Sequence, residues 1–151
     1  MAKELVTRGS VQIKAPAAKV WEALTTPEWT RQYMFGCDIV SGLSIGDPIL
    51  WKGMLDGNEV VFVKGTIVEN KTGSLLRYTT FDPNMGIADV PSNYLTVTYE
   101  LSHHDGQTTL KLSQGDFAKV EQGEKRFNDA GEGWNPLLTK IKELVEKSVV
   151  G

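Results

Sequence analysis

Segments of strict apolar–polar alternation, joined by turns too short for a parallel return, constrain this chain more than any other feature. Over 94–103, Leu95, Val97, Tyr99 and Leu101 take one parity, and Thr96, Thr98, Glu100 and Ser102 take the other. Asp105-Gly106 follows, a pair suited to the positive φ angles of a tight hairpin. Leu110 and Leu112 then resume the apolar side. Such short connections force neighbouring strands to run antiparallel. Further strands are expected at 49–55, 59–69, 75–81 and 108–114, with a weaker one at 37–41. Asp56-Gly57-Asn58 and Asn70-Lys71-Thr72-Gly73 supply two more turns. Near the start, Leu5, Thr7, Gly9, Val11 and Ile13 alternate with Val6, Arg8, Ser10 and Gln12, which adds a first strand.

Helical patterns flank this block. Pro16 opens a short helix with Val20, Trp21 and Leu24 as its stripe. Thr26-Pro27 opens a second, with Thr26 as cap and Pro27 at the first helical position, carrying Trp29, Tyr33 and Met34. At the C-terminus, Trp134, Leu137, Leu138, Ile141, Leu144, Val145 and Ser148 recur at spacings of three and four. Glu143 and Lys147 make a favourable pair on the other face. Residues 118–132 are helix-compatible, and Gly131, Gly133 and Pro136 imply a bend near 133–136 of one long helix. An antiparallel sheet with one apolar face needs a cover, and this helix is the element long enough to provide it.

No linker or repeat divides the 151 residues, so a single domain over 1–151 is expected. With 16 Lys and Arg against 19 Asp and Glu, the net charge of −3 includes no basic tract, which argues against a nucleic-acid partner. Val60-Val61-Phe62-Val63 is the longest aliphatic or aromatic run, far short of the roughly 20 residues of a membrane span. The first residues contain no apolar core of a secretory signal, and Cys37 is the sole cysteine. A reducing, cytoplasmic location is the expectation.

The stretch Val20-Trp21-Glu22-Ala23-Leu24-Thr25-Thr26-Pro27-Glu28, after Val11-Gln12-Ile13-Lys14-Ala15-Pro16, resembles the opening of the START-like helix-grip superfamily (SRPBCC). Within it, the chain is similar to the homologue family of the activator of the heat-shock-protein-ninety ATPase. Glu132-Gly133-Trp134-Asn135-Pro136-Leu137-Leu138, with Ile141 and Leu144, resembles that family's closing Gly-Trp helix. Gly46-Asp47, Trp51, Gly65-Thr66-Ile67-Val68-Glu69 and Leu76-Arg77-Tyr78 fall where its strand signatures stand. Tyr33-Met34 replaces the family's usual Trp-Phe pair, and Pro136 is unusual so soon after Gly-Trp. The resemblance implies an α+β helix-grip fold: a curved antiparallel sheet of about six or seven strands wrapped around a long C-terminal helix, with two short helices after the first strand. It also implies a cavity between sheet and helix. The eukaryotic co-chaperone that names the family has a separate N-terminal chaperone-binding domain, and 151 residues are expected to leave no room for one.

Candidate chemistry is sparse. His103 and His104 are adjacent, so on a strand they point to opposite faces and read as solvated hairpin residues. Two histidines and one cysteine do not complete the usual zinc ligand sets, and neither metal nor cofactor is expected. Cys37 reads as a small buried apolar residue. The 82–92 connection lacks the oxygen-ligand pattern of a calcium loop and reads as structured. Arg77 has the parity opposite to Leu76 and Tyr78, which puts it on the solvent face.

Aromatics dominate what remains. Tyr33, Trp51, Tyr78, Phe81, Tyr99, Trp134 and Leu138 are the candidate lining of a cavity for a hydrophobic small molecule or lipid, with tyrosine hydroxyls orienting a polar end. The reading is of binding without catalysis, with no catalytic residue assigned. Two alternatives stand beside it: a stress-response module with a chaperone as partner, and a cyclase- or hydrolase-like enzyme. The enzyme needs a His, Asp or Glu inside the cavity. No subunit-interface signature stands out along the strand edges.

Overall fold

The expected turns carry the left-handed backbone that their sequence suits. In the computed structural model, Asp56 and Gly57 have φ of 52° and 80°, and Asp105 and Gly106 have 52° and 77°. The structure describes residues 4–84 and 86–150, apart from the side chains of 131–133 and 150. At Gly131, Glu132 and Gly133 the backbone is helical, within the long closing helix expected there.

Seven strands form the sheet: β1 (Thr7–Ile13), β2 (Asp38–Ser41), β3 (Pro48–Leu55), β4 (Asn58–Lys71), β5 (Leu75–Thr80), β6 (Leu95–His104) and β7 (Gln107–Gly115). Their order is β1-β7-β6-β5-β4-β3-β2, and every neighbouring pair is antiparallel. β2 to β7 thus run as a meander, and β1 returns beside β7. β4 spans 14 residues, and its ladders are irregular between Trp51 and Lys52 of the adjoining β3 and between its own Ile67 and Glu69 against β5. Bulges of this kind bend a sheet and increase its twist.

Side-chain parity follows the sequence pattern. Leu95, Val97, Tyr99 and Leu101 are buried with Leu110 and Leu112, while Thr96, Thr98, Glu100 and Ser102 face outward. Arg77 also lies outside, donating to Glu69 Oε1 at 2.7 Å and to Thr98 Oγ1 at 3.2 Å. The apolar face is covered by α1 (Ala17–Thr25), α2 (Pro27–Tyr33) and α3 (Gly123–Val150). Pro27 takes the first turn of α2 as expected, but the Thr26 hydroxyl makes no capping bond. The Thr26 carbonyl instead accepts from Trp29 and Thr30 amides. Thr30 staples α2 to β2: its hydroxyl donates to the Cys37 carbonyl at 3.0 Å and accepts from the Ile39 amide at 3.1 Å.

α3 is a single helix of 28 residues with Pro136 in its interior. Its densest packing is against β1. A Cβ on Gly9 of β1 would stand 2.8 Å from Leu138 Cδ1, so this glycine is the seat on which Leu138 rests. Among the described residues, the ion pair on α3 is Lys142–Glu146 rather than the expected Glu143–Lys147, and Glu146 also accepts from the Lys14 amide at 2.9 Å.

Candidate functional site

Along α3, the side chains facing the sheet change character. Leu137, Leu138, Ile141 and Val145 are buried in the core. One to three turns earlier, Arg126, Ala130 and Trp134 recur at four-residue steps and face open volume instead. Ala130 is small and leaves space that a leucine would fill, while Arg126 brings a charged group to the same face. The result is a cavity of about 550 Å³, within the range of small-molecule sites.

The strands supply the opposite wall. Trp51 comes from β3, Phe62 and Val63 from β4, Tyr78 and Thr80 from β5, Leu95 and Val97 from β6, and Gln114 from β7. Phe81, Asp82 and Phe117 close the end near the strand termini. Met34, Phe35 and Cys37 contribute from the passage between α2 and β2. Phe35 is 85% exposed and Asp129 is exposed, so the cavity reaches the surface where they stand. Most of the lining is apolar, and Thr80, Asp82, Gln114, Arg126 and Asp129 add polar groups.

Four of the seven residues expected to line a cavity stand on this wall: Trp51, Tyr78, Phe81 and Trp134. The other three pack elsewhere in the core. Leu138 lies one helical turn beyond Trp134, against Gly9. Tyr33 donates its hydroxyl to the Ala23 carbonyl at 2.7 Å, joining α2 to α1. Tyr99 shares a hydroxyl–hydroxyl hydrogen bond of 2.9 Å with Tyr78 behind the wall. The tyrosine hydroxyls expected to orient a ligand are therefore already engaged within the protein. Burial raises all three phenol pKa values, Tyr99 to about 12, and Tyr99 adds a repulsive contribution to Tyr33 and Tyr78. The ring of Tyr78 remains on the wall, 6.3 Å from that of Trp51.

Polar residues at inward positions supply the groups that the sequence reading passed over. Thr80 and Asp82 continue the inward parity of Leu76 and Tyr78. Gln114 continues that of Leu110 and Leu112. Trp134 Nε1–H donates to Gln114 Oε1 at 2.7 Å, tying α3 to β7 at the cavity. Arg126 could have been found by stepping back from Trp134 in fours. It lies within the helix-compatible stretch 118–132, but a charged residue there reads as solvent-facing.

Other groups stand apart. His103 and His104 are exposed on the β6–β7 hairpin, with His104 Nε2 3.0 Å from Asp105. Among the described residues, no group of three metal-ligating side chains comes together. The Cys37 thiol is buried, and burial together with the nearby Asp38 carboxylate raises its pKa. It stays a thiol, a poor nucleophile. The 82–92 connection is pinned: Lys64 pairs with Asp89, Tyr94 donates to Asp89 at 2.7 Å, and Asn84 donates to the Val61 carbonyl at 3.2 Å.

The sequence profile described as "Activator of Hsp90 ATPase homolog 1-like protein" matches residues 14–146. The chain belongs to that family. Its structure is similar to the solution structure of ChR145 from Cytophaga hutchinsonii, at 34% identity over the whole of both chains and a TM-score of 0.79. NE0264 from Nitrosomonas europaea is similar at 21% identity, again over the whole of both chains, with a TM-score of 0.75. The Aha1 dimer from Colwellia psychrerythraea shares the fold at 15% identity and a TM-score of 0.69, covering 93% of this chain and 96% of that one. No curated protein matches the chain. Among the described residues, no helix is long and apolar enough to cross a membrane. Of the positions where it departs from the family's usual pattern, Met34 lies on the cavity wall and Pro136 is exposed.

Proposed function

We propose that the chain binds a hydrophobic small molecule or lipid in the cavity beneath the N-terminal half of α3, without catalysing its conversion, inside the cell. One observation carries this reading: about 550 Å³ of mainly apolar volume, open beside Phe35, between the sheet and α3. Trp51, Phe62, Phe81 and Trp134 offer contact area at small conformational cost. The protonated Cys37 thiol and the absence of histidine from the described wall favour binding over acyl transfer or proton abstraction. Asp82 and Asp129 are the carboxylates that an enzyme would have to use. Asp82 already accepts the Asn84 amide at 2.8 Å, and Asp129 stands exposed at the rim. A sole, buried cysteine fits a reducing compartment.

The test uses the two tryptophans on the wall. Titration with decanol or an anilinonaphthalene dye is expected to change Trp fluorescence and raise the melting temperature. Ala130→Trp, which fills the volume, should abolish both responses. Unchanged fluorescence and melting temperature across an aliphatic and aromatic library would sink the proposal. The family description supports a second reading, in which a chaperone is the partner. That reading requires retention on immobilised Hsp90 and a changed ATPase rate.

A further inference from the structure

Resting on the binding reading above, we infer that the cavity takes an amphipathic carboxylate, with its apolar body against the aromatic wall and its carboxylate held by the Arg126 guanidinium and the Gln114 amide. Arg126 is only 9% exposed; the Asp82 carboxylate acts on it through space, but among the described residues no carboxylate bonds to its guanidinium. Its Nη1 makes one long hydrogen bond, to the Glu121 carbonyl at 3.4 Å, and among the described residues Nε and Nη2 make none. No fully enclosed side-chain nitrogen or oxygen in the described structure lacks a partner. The spare guanidinium nitrogens therefore keep accessible surface, and Arg126 is one of the residues that line the cavity. A buried cation is costly unless paired; burial lowers the pKa of this one, and the Asp82 carboxylate on the same wall offsets only part of that shift.

Gln114 adds a second donor in a fixed sense. The indole N–H of Trp134 is donor-only, so the atom it meets must be the amide oxygen. The amide NH₂ of Gln114 is left available on the same wall. The Thr80 hydroxyl, also on the wall, makes no hydrogen bond among the described residues. A planar fork beside an amide donor suits a carboxylate, which accepts from several donors at once. Asp82 and Asp129 face the same volume and oppose negative charge there, so the ligand is expected to carry a single acidic group seated at Arg126.

Calorimetry with matched pairs tests this: decanoate against decanol, and naphthoate against naphthylmethanol. Wild-type protein is expected to bind at least one acid roughly tenfold more tightly than its alcohol, the scale of a charge-assisted hydrogen bond. The better pair distinguishes an aliphatic from an aromatic body. Arg126→Met should bring the acid-to-alcohol ratio close to one, and Asp129→Asn should widen it. Arg31→Met is the control that keeps it, because Arg31 pairs with Asp38 away from the cavity. Should Arg126→Met fail to fold, the wild-type Arg126 Nε resonance decides, moving with the acid and not with the alcohol. Equal affinity for acid and alcohol in both pairs overturns the inference and leaves the cavity reading standing. Failure of all four probes to bind overturns both.

Discussion

The two halves of α3 sit over the same sheet and do opposite things. Toward its C-terminus, Leu137, Leu138, Ile141 and Val145 interlock with β1 and the inward strand residues, leaving Ile141 and Val145 almost wholly buried. Toward its N-terminus, Arg126, Ala130 and Trp134 occupy equivalent positions and leave a space. Backbone geometry is shared, so side-chain size and polarity make the difference. Stability is concentrated in one half and candidate binding in the other, which allows either to change without the other.

Removing bulk from the closed half should have the largest effect. Ile141→Ala is expected to cost about 2–5 kcal/mol, read by urea or thermal unfolding, because the site is fully packed. A small loss would mean that the closed half is not closed. Adding bulk separates the halves next. Ala23→Leu, in the packed layer of α1, should cost about 1–3 kcal/mol. Ala130→Leu should change stability by less than about 0.5 kcal/mol while weakening dye binding. Equal penalties at the two alanines would break the comparison.

Smaller effects probe the boundary. Tyr78→Phe leaves the buried Tyr99 hydroxyl without its partner and should cost about 1–3 kcal/mol, with part recovered in the Tyr78→Phe/Tyr99→Phe double variant. No recovery would show that the hydroxyl pair is not the source of the loss. The weakest effect is acid sensitivity. Backbone amides of Leu5 and Ala118 hold the Asp116 carboxyl below the usual range, near the open half. Lys142 and the Lys14 amide do the same for Glu146 at the closed half. For a folded pKa below the unfolded one, the stabilisation is present above the unfolded value and is lost as pH falls through the folded value. Stability should therefore hold at neutral pH and decline below pH of about 4. Asp116→Asn and Glu146→Gln should each make that decline shallower in a series of melts.

Much of the fold was legible because period and turn chemistry are local. The parity of Leu95 to Leu101 and the Asp-Gly turns placed β6 and β7 within a residue or so of their observed ends. The candidate site was legible only in part. Large aromatics at inward positions mark either core or wall, and the sequence contains nothing to separate Tyr78, whose ring meets the cavity, from Tyr99 behind it. That distinction depends on what α3 places opposite, here Ala130 and Arg126 rather than Leu138. The inward parity of Thr80 and Gln114 was readable, a polar signal overlooked in favour of aromatic residues.

Heteronuclear NMR during titration with decanol tests the division of α3 most directly. The account expects shifts at Arg126, Ala130, the Trp134 indole, the Gln114 side-chain amide and Val97, with Ile141 and Val145 unmoved. Shifts centred on Ile141 and Val145, or none at saturating decanol, would contradict it.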